Sequence, residues 1–109
     1  MIKEILTASG IPYRQARFLN PPAETYAVYL DDTDTEPGPD PFAGATQLIR
    51  HDIMVELYEP KPDAAAEAAM AAALMAAGLH YTKQDRYWLQ NVQRYQVVFE
   101  FTYYEKRRA

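Results

Sequence analysis

The sequence predicts an α+β domain. Its mainly antiparallel sheet has four to five strands, with two helices packed on one face, in the order α-β-β-β-α-β-β. Three observations carry this expectation. Residues 94–104 (RYQVVFEFTYY) alternate Tyr95, Val97, Phe99, Phe101 and Tyr103 with Gln96, Val98, Glu100, Thr102 and Tyr104, the period of a strand with two unlike faces. Residues 47–59 repeat the pattern, with Ile49, His51, Ile53, Val55 and Leu57 on one side and a mixed set on the other. Between these strands lies 64–77, almost all alanine, the best helix former, with Met70, Leu74 and Met75 as its large side chains. A chain of 109 residues is one domain, spanning 1–109.

The remaining elements follow in order. In residues 2–9, Ile2, Ile5 and Leu6 fall on one helical face while Lys3 and Glu4 point away. Gly10 can take the left-handed position that ends a helix, and Pro12 prevents continuation. Residues 13–18 form a strand with no clean face, which suits a sheet edge. Asn20-Pro21-Pro22 breaks it. Residues 25–31 (TYAVYLD) carry apolar groups on both faces and belong inside the sheet. Residues 31–44 are expected to form a long loop. It holds Asp31, Asp32, Asp34, Glu36 and Asp40 with no base, and Pro37, Pro39 and Pro41 favour extended polyproline geometry.

After the long strand, Pro60-Lys61-Pro62 leads into the second helix, with Pro62 in its first turn. Asp63 and Glu67 sit where the helix dipole favours negative charge, and Gly78 is the stop. Residues 79–85 and 87–89 lead as strands into the last one. The face with Ile53, Val55, Val97, Phe99 and Phe101 meets the helices. The other face is amphipathic, with Met54, Tyr58, Val98 and Tyr104 among charges. Such a face is either finished by another subunit or left half-exposed, as antiparallel sheets allow.

Catalytic material is scarce. The absence of cysteine excludes disulfides, thiolate metal sites and cysteine nucleophiles. Ser9, the one serine, ends a helix and lies in no GxSxG, so it reads as a capping residue. His51 and Asp52 are adjacent on a strand and point to opposite faces, and His80 has no ligand spacing, so no metal site is expected. His51 reads as a hydrogen-bonded core or interface residue. An enzyme would need His51 or His80 in a pocket with perturbed ionisation. The glycines at 10, 38, 44 and 78 form neither a P-loop nor GxGxxG. DDTDTE lacks the glycine of an EF-hand loop, leaving a solvated or interface loop.

A net charge of −4 is unlike the basic footprint of nucleic-acid binders, and the small basic tail Lys106-Arg107-Arg108 reads as a solubilising terminus. The opening MIKEILTASG has no signal-peptide pattern, and the apolar run 68–79 is too short to span a membrane. Neither a cofactor nor a nucleic-acid or membrane partner is expected. Charge is uneven along the chain: residues 31–44 carry −5 and residues 78–109 carry +3. This polarity suits either head-to-tail contacts between copies or pairing within one chain.

Taken together, the opening helix ending in glycine, GIPYRQARF, PPAETYAVYLDD, RHDIMVELYEPKPD, the following helix and RYQVVFEF resemble the small tail-completion proteins of long-tailed bacteriophages and prophages. These are similar to tail-terminator and head–tail joining proteins. The resemblance spans about Ile2 to Phe101. Ala23-Glu24-Thr25 separates Pro22 from Tyr26 where the family places an aromatic directly after the prolines, and the second helix is alanine-rich where relatives carry Leu, Lys and Glu. The resemblance implies a non-enzymatic virion protein without cofactor. It would sit first in the host cytoplasm and then at the head–tail junction, as a ring, hexameric in the family. Partners would be copies of itself, the tail tube and the head connector. It also implies that the acidic loop (Asp31, Asp32, Asp34, Glu36, Asp40) orders on assembly. The sheet face (Met54, Tyr58, Val98, Tyr104) and the basic end (Lys106, Arg107, Arg108) are further contact candidates. A rival reading is a small ligand- or protein-binding module that uses the open sheet face.

Overall fold

A computed structural model describes residues 1–35 and 46–108. Its elements are α1 (Ile2–Ser9), β1 (Tyr13–Gln15), β2 (Tyr26–Thr35), β3 (Thr46–Glu59), α2 (Ala64–Ala76), β4 (Tyr81–Lys83), β5 (Tyr87–Leu89) and β6 (Arg94–Arg108). The order is the expected one with a sixth strand, because β4 and β5 are separate short pieces that both pair antiparallel with β6. The sheet runs β1-β2-β3-β6-β4, and all pairings are antiparallel except β1 with β2.

The registers put odd-numbered residues of the three long strands on one face. Ala27 faces Leu57 and Val97, Tyr29 faces Val55 and Phe99, and Ile53 faces Phe101. Ile2, Ile5 and Leu6 of α1 and Met70, Ala73 and Leu74 of α2 close over this face in one core cluster. Each helix meets the sheet through an i, i+3, i+4 stripe. Gly10 ends α1 at φ 75, a backbone a side chain would strain. Ser9 does cap that end: its hydroxyl donates to Leu6 O at 2.6 Å and accepts from Ile11 N–H at 3.3 Å. Asp63 is the N-cap of α2, with Ala66 N–H donating to it at 3.0 Å, so Pro62 precedes the helix and does not lie in its first turn.

β2 is longer than its expected span. Asp31 pairs with Ile53, Thr33 with His51 and Thr35 with Ile49, so the first acids of the expected loop are strand residues. Alternating β-branched threonines and ten residues of ladder outweigh the poor strand propensity of aspartate. Glu36 and Asp40 lie outside the described residues. β6 likewise continues to Arg108, because β3 supplies a partner for every residue from Arg94's neighbour Tyr95 onward. At about 3.3 Å per residue its 15 residues account for most of the 54 Å long axis. The helix-covered cluster ends at Ile53, Phe101 and half-buried Tyr103. Beyond it β2, β3 and β6 run on as a three-stranded ribbon.

Candidate interaction surface

Even-numbered residues of β2, β3 and β6 line the face away from the helices, and the face is covered unequally. Near the ends that carry Tyr26 and Tyr58, residues 16–24 fold across it. Phe18 meets the Tyr26 ring edge-on at 5.2 Å, and Tyr58 stacks on the other side of Tyr26 at 5.2 Å. Arg94 donates to the Glu24 and Pro22 carbonyls at 3.0 and 3.1 Å while its guanidinium lies over the Tyr26 ring. Tyr26, Val28 and Val98 are consequently buried. Tyr58 donates to Glu56 at 3.1 Å and accepts from Gln96 Nε2 at 3.2 Å, and burial beside the Glu56 carboxylate pushes its phenol up to about 12.

The middle of the face stays open. Leu30, Met54, Glu100 and Thr82 form one row across four strands, and Asp32, Asp52 and Thr102 form the next. They line a groove of about 480 Å³ whose floor includes Ile53 and Phe101. Leu30 and Asp32 are exposed and Met54 half-buried. Thr102 donates to Asp52 at 2.6 Å and Arg50 Nε at 3.1 Å, and these bonds, the threonine's first, hold the Asp52 carboxyl below its usual range. Asp32, Asp52 and Glu100 make the groove acidic around an apolar centre.

On the helix side the ionisable groups are paired. His51 stacks on Tyr103 at 4.6 Å, with Nδ1 at 3.1 Å from Asp31 and Nε2 at 3.3 Å from Glu105. Thr33 adds a contact to Nδ1 at 3.3 Å. The pairing makes His51 the hydrogen-bonded residue its position suggested. His80 is exposed, and Ser9 is buried in α1.

The other cluster was not foreseen. Glu59 and Glu67 are both buried, and Arg86 reaches both at 3.3 and 2.8 Å. Lys83 Nζ meets Glu67 Oε1 at 2.8 Å. Burial, with Glu67 alongside, pushes the Glu59 carboxyl up to about 7. Burial also acts on Glu67, but hydrogen bonds from Lys83 and Arg86 outweigh it and hold that carboxyl low. The signal was available in the spacing. Glu59 shares the parity of Leu57, and Glu67 lies three and seven residues before Met70 and Leu74.

The four sheet-face candidates therefore separate. Val98 is buried and offers no contact surface, and Tyr58 is packed among Tyr26, Glu56 and Gln96. Met54 lines the groove, and Tyr104 is exposed on the ribbon. Of the charged candidates, Asp31 is held by His51, Asp32 faces the groove, and Asp34, Arg107 and Arg108 are ribbon strand positions. Lys106 is exposed opposite Leu48 of β3. Among the described residues no cluster of three or more histidines and carboxylates is placed to hold a metal ion. Nor is any helix there long and apolar enough to cross a membrane.

This arrangement defines a two-layer α+β domain with one sheet face closed by helices and the other holding an open, acidic groove. The chain matches no family model, and comparison with curated proteins finds no match.

Proposed function

We propose that the chain is a non-enzymatic structural subunit of a long-tailed bacteriophage or prophage. It completes the tail as a hexameric ring and joins it to the head connector. The observation that carries this reading is the open groove flanked by Leu30, Asp32, Met54 and Glu100 on a sheet whose other face is already closed. Apolar side chains ringed by carboxylates suit a protein partner that brings both apolar and basic groups. The order of elements also supports the resemblance: the strand ending in Glu56-Leu57-Tyr58 lies against the YQVVFEF strand, with Leu57 opposite Val97. The side chains that chemistry would recruit are occupied structurally, His51 by Asp31, Glu105 and Tyr103 and Ser9 by its helix end.

The test is joining of heads to tails that lack their completion protein. Purified chain restores joined particles, and the pair Leu30→Asp and Met54→Asp abolishes joining while its melting temperature stays within a few degrees. A chain that neither binds tail ends nor restores joining overturns the proposal. The same groove favours one rival, a small module that binds a basic or apolar ligand as a monomer. That reading gains if ligand binding survives in a monomer that never joins tails.

A further inference from the structure

The open groove carries charge at two opposite corners. Leu30, Met54 and Glu100 share a row across β2, β3 and β6, and Asp32 stands one row further along β2. The three acids of the groove are not equivalent. Asp52 is answered by Arg50 at 3.1 Å and by the Thr102 hydroxyl at 2.6 Å. Glu100 accepts from the neutral Gln84 amide at 3.1 Å. Among the described residues neither Asp32 nor Glu100 meets a cation. Arg14, opposite Val28 on β1, turns instead to the Tyr13 carbonyl at 2.9 Å and lies over the Phe18 ring at 5.1 Å. Two carboxylates without a counter-charge thus flank an apolar centre. Adjacent strands lie about 4.8 Å apart and same-face residues about 6.7 Å apart along a strand, which sets the Asp32 and Glu100 backbones about 12 Å from each other.

We infer that the groove takes an extended basic–apolar–basic segment of a partner protein. The inference rests on the reading of this chain as a tail-completing subunit and names the kind of sequence its partner brings. In an extended chain the side chains at i, i+2 and i+4 point the same way, and the outer two are about 13 Å apart. Lysine or arginine at i and i+4 then meets Asp32 and Glu100. The apolar side chain at i+2 comes down beside Met54 and Leu30, above the floor of Ile53 and Phe101. Charge selects this occupant: an acidic segment would set like charges against both corners, and a wholly apolar one would leave both carboxylates covered without a partner. Size selects the extended form. A helix covering the same span needs two turns about 10–12 Å across, more than a groove of about 480 Å³ admits.

The probe is the capped peptide Lys-Thr-Leu-Thr-Lys, read by the Met54 methyl signal in protein labelled at its methionine methyls. The peptide is expected to shift that signal saturably. At low salt it should bind roughly tenfold more tightly than Glu-Thr-Leu-Thr-Glu or Lys-Thr-Ser-Thr-Lys. Asp32→Asn with Glu100→Gln should erase the advantage over the Glu peptide, and Asp32→Lys with Glu100→Lys should reverse it. A Lys peptide that leaves Met54 unmoved, or that binds both double variants as tightly as the parent chain, overturns the inference. So does a parent chain that associates with itself through Met54 and is not displaced by the Lys peptide, since a second copy is then the occupant. Joined particles from a chain on which the peptide is silent overturn the segment and leave the tail-completing reading standing. Peptide binding by a chain that never joins tails overturns that reading and upholds the segment.

Discussion

Glu59 and Glu67 share one guanidinium. Glu59 closes β3, Glu67 lies in the first turn of α2, and Arg86, just after β4, reaches Oε1 of the first at 3.3 Å and Oε2 of the second at 2.8 Å. Lys83 and Arg86 both serve Glu67 at 2.8 Å, so the cost of ionisation falls on Glu59, which among the described residues has only the longer Arg86 ion pair and whose Oε2 is buried without a hydrogen-bond partner. A proton on Glu59 removes one of the two negative charges.

The pH dependence of folding follows from that proton. Glu59 moves from 4.5 to about 7 on folding, so between these values the native state holds a proton that the unfolded chain has released. Stability contributed by this group is full below about pH 4.5 and falls as pH rises toward 7, by about 3 kcal/mol at most. Glu67 and Asp63 act in the opposite sense, since both are lowered on folding and lose their contribution as pH falls through the acid range. Urea unfolding from pH 4 to 8 should show a maximum near 5, and Glu59→Gln should flatten the decline above it. An unchanged slope in that variant would place the titration elsewhere.

Arg86→Met should be the most damaging single change at this cluster. It leaves Glu67 with Lys83 alone and Glu59 with no cation, and breaking a buried pair costs about 3–5 kcal/mol. Adding Glu59→Gln to that variant should recover part of the loss, which a double-mutant cycle in urea measures directly. Strict additivity would mean the two groups do not interact.

Asp63 ties β2's entry to α2. It accepts from Ala66 N–H at 3.0 Å and from the Thr25 hydroxyl at 2.6 Å, and these two bonds, the hydroxyl's first, hold its carboxyl low. Asp63→Ala removes both and should cost about 1–2 kcal/mol. Thr25→Val removes only the second and should cost less. Equal losses from the two variants, read by thermal unfolding, would show that the helix cap contributes nothing separate.

The backbone layout was legible because two signals are strong: the alternation in 49–57 and 95–103, and the alanine helix between them. The length of β2 was not, because Asp31-Asp32-Thr33-Asp34 reads as a loop unless a partner ladder is known, and Ile49 and His51 supply that ladder from elsewhere in the chain. Parity and helical spacing put Glu59 and Glu67 on the core side, but their meeting with Arg86, 27 residues on from Glu59, needed tertiary proximity that periodicity cannot give. Cover on the open face was hidden for the same reason. The prolines of 20–22 announce a break, but only the Arg94 contacts to the Pro22 and Glu24 carbonyls show the segment lying over Tyr26.

The open face thus holds residues of two kinds at the same parity, and substitution separates them. Val98 is 6% exposed and Tyr104 is 56% exposed, although both point away from the helices. Val98→Ala removes packed methyl groups beneath a covered part of the sheet and should cost about 1–2 kcal/mol in urea unfolding. It should leave assembly of the folded fraction intact, since no partner can reach it. Tyr104→Ala trims a mostly exposed ring on the ribbon, and a surface change of this sort shifts stability by only about 0.5 kcal/mol. Its effect should appear in the yield of joined particles, because the tyrosine ring is exposed on the open face proposed to meet a partner. The reverse pattern, with Tyr104→Ala unfolding the chain and Val98→Ala silent in unfolding, would mean that the ribbon is packed against this chain itself and has no free surface to offer a partner.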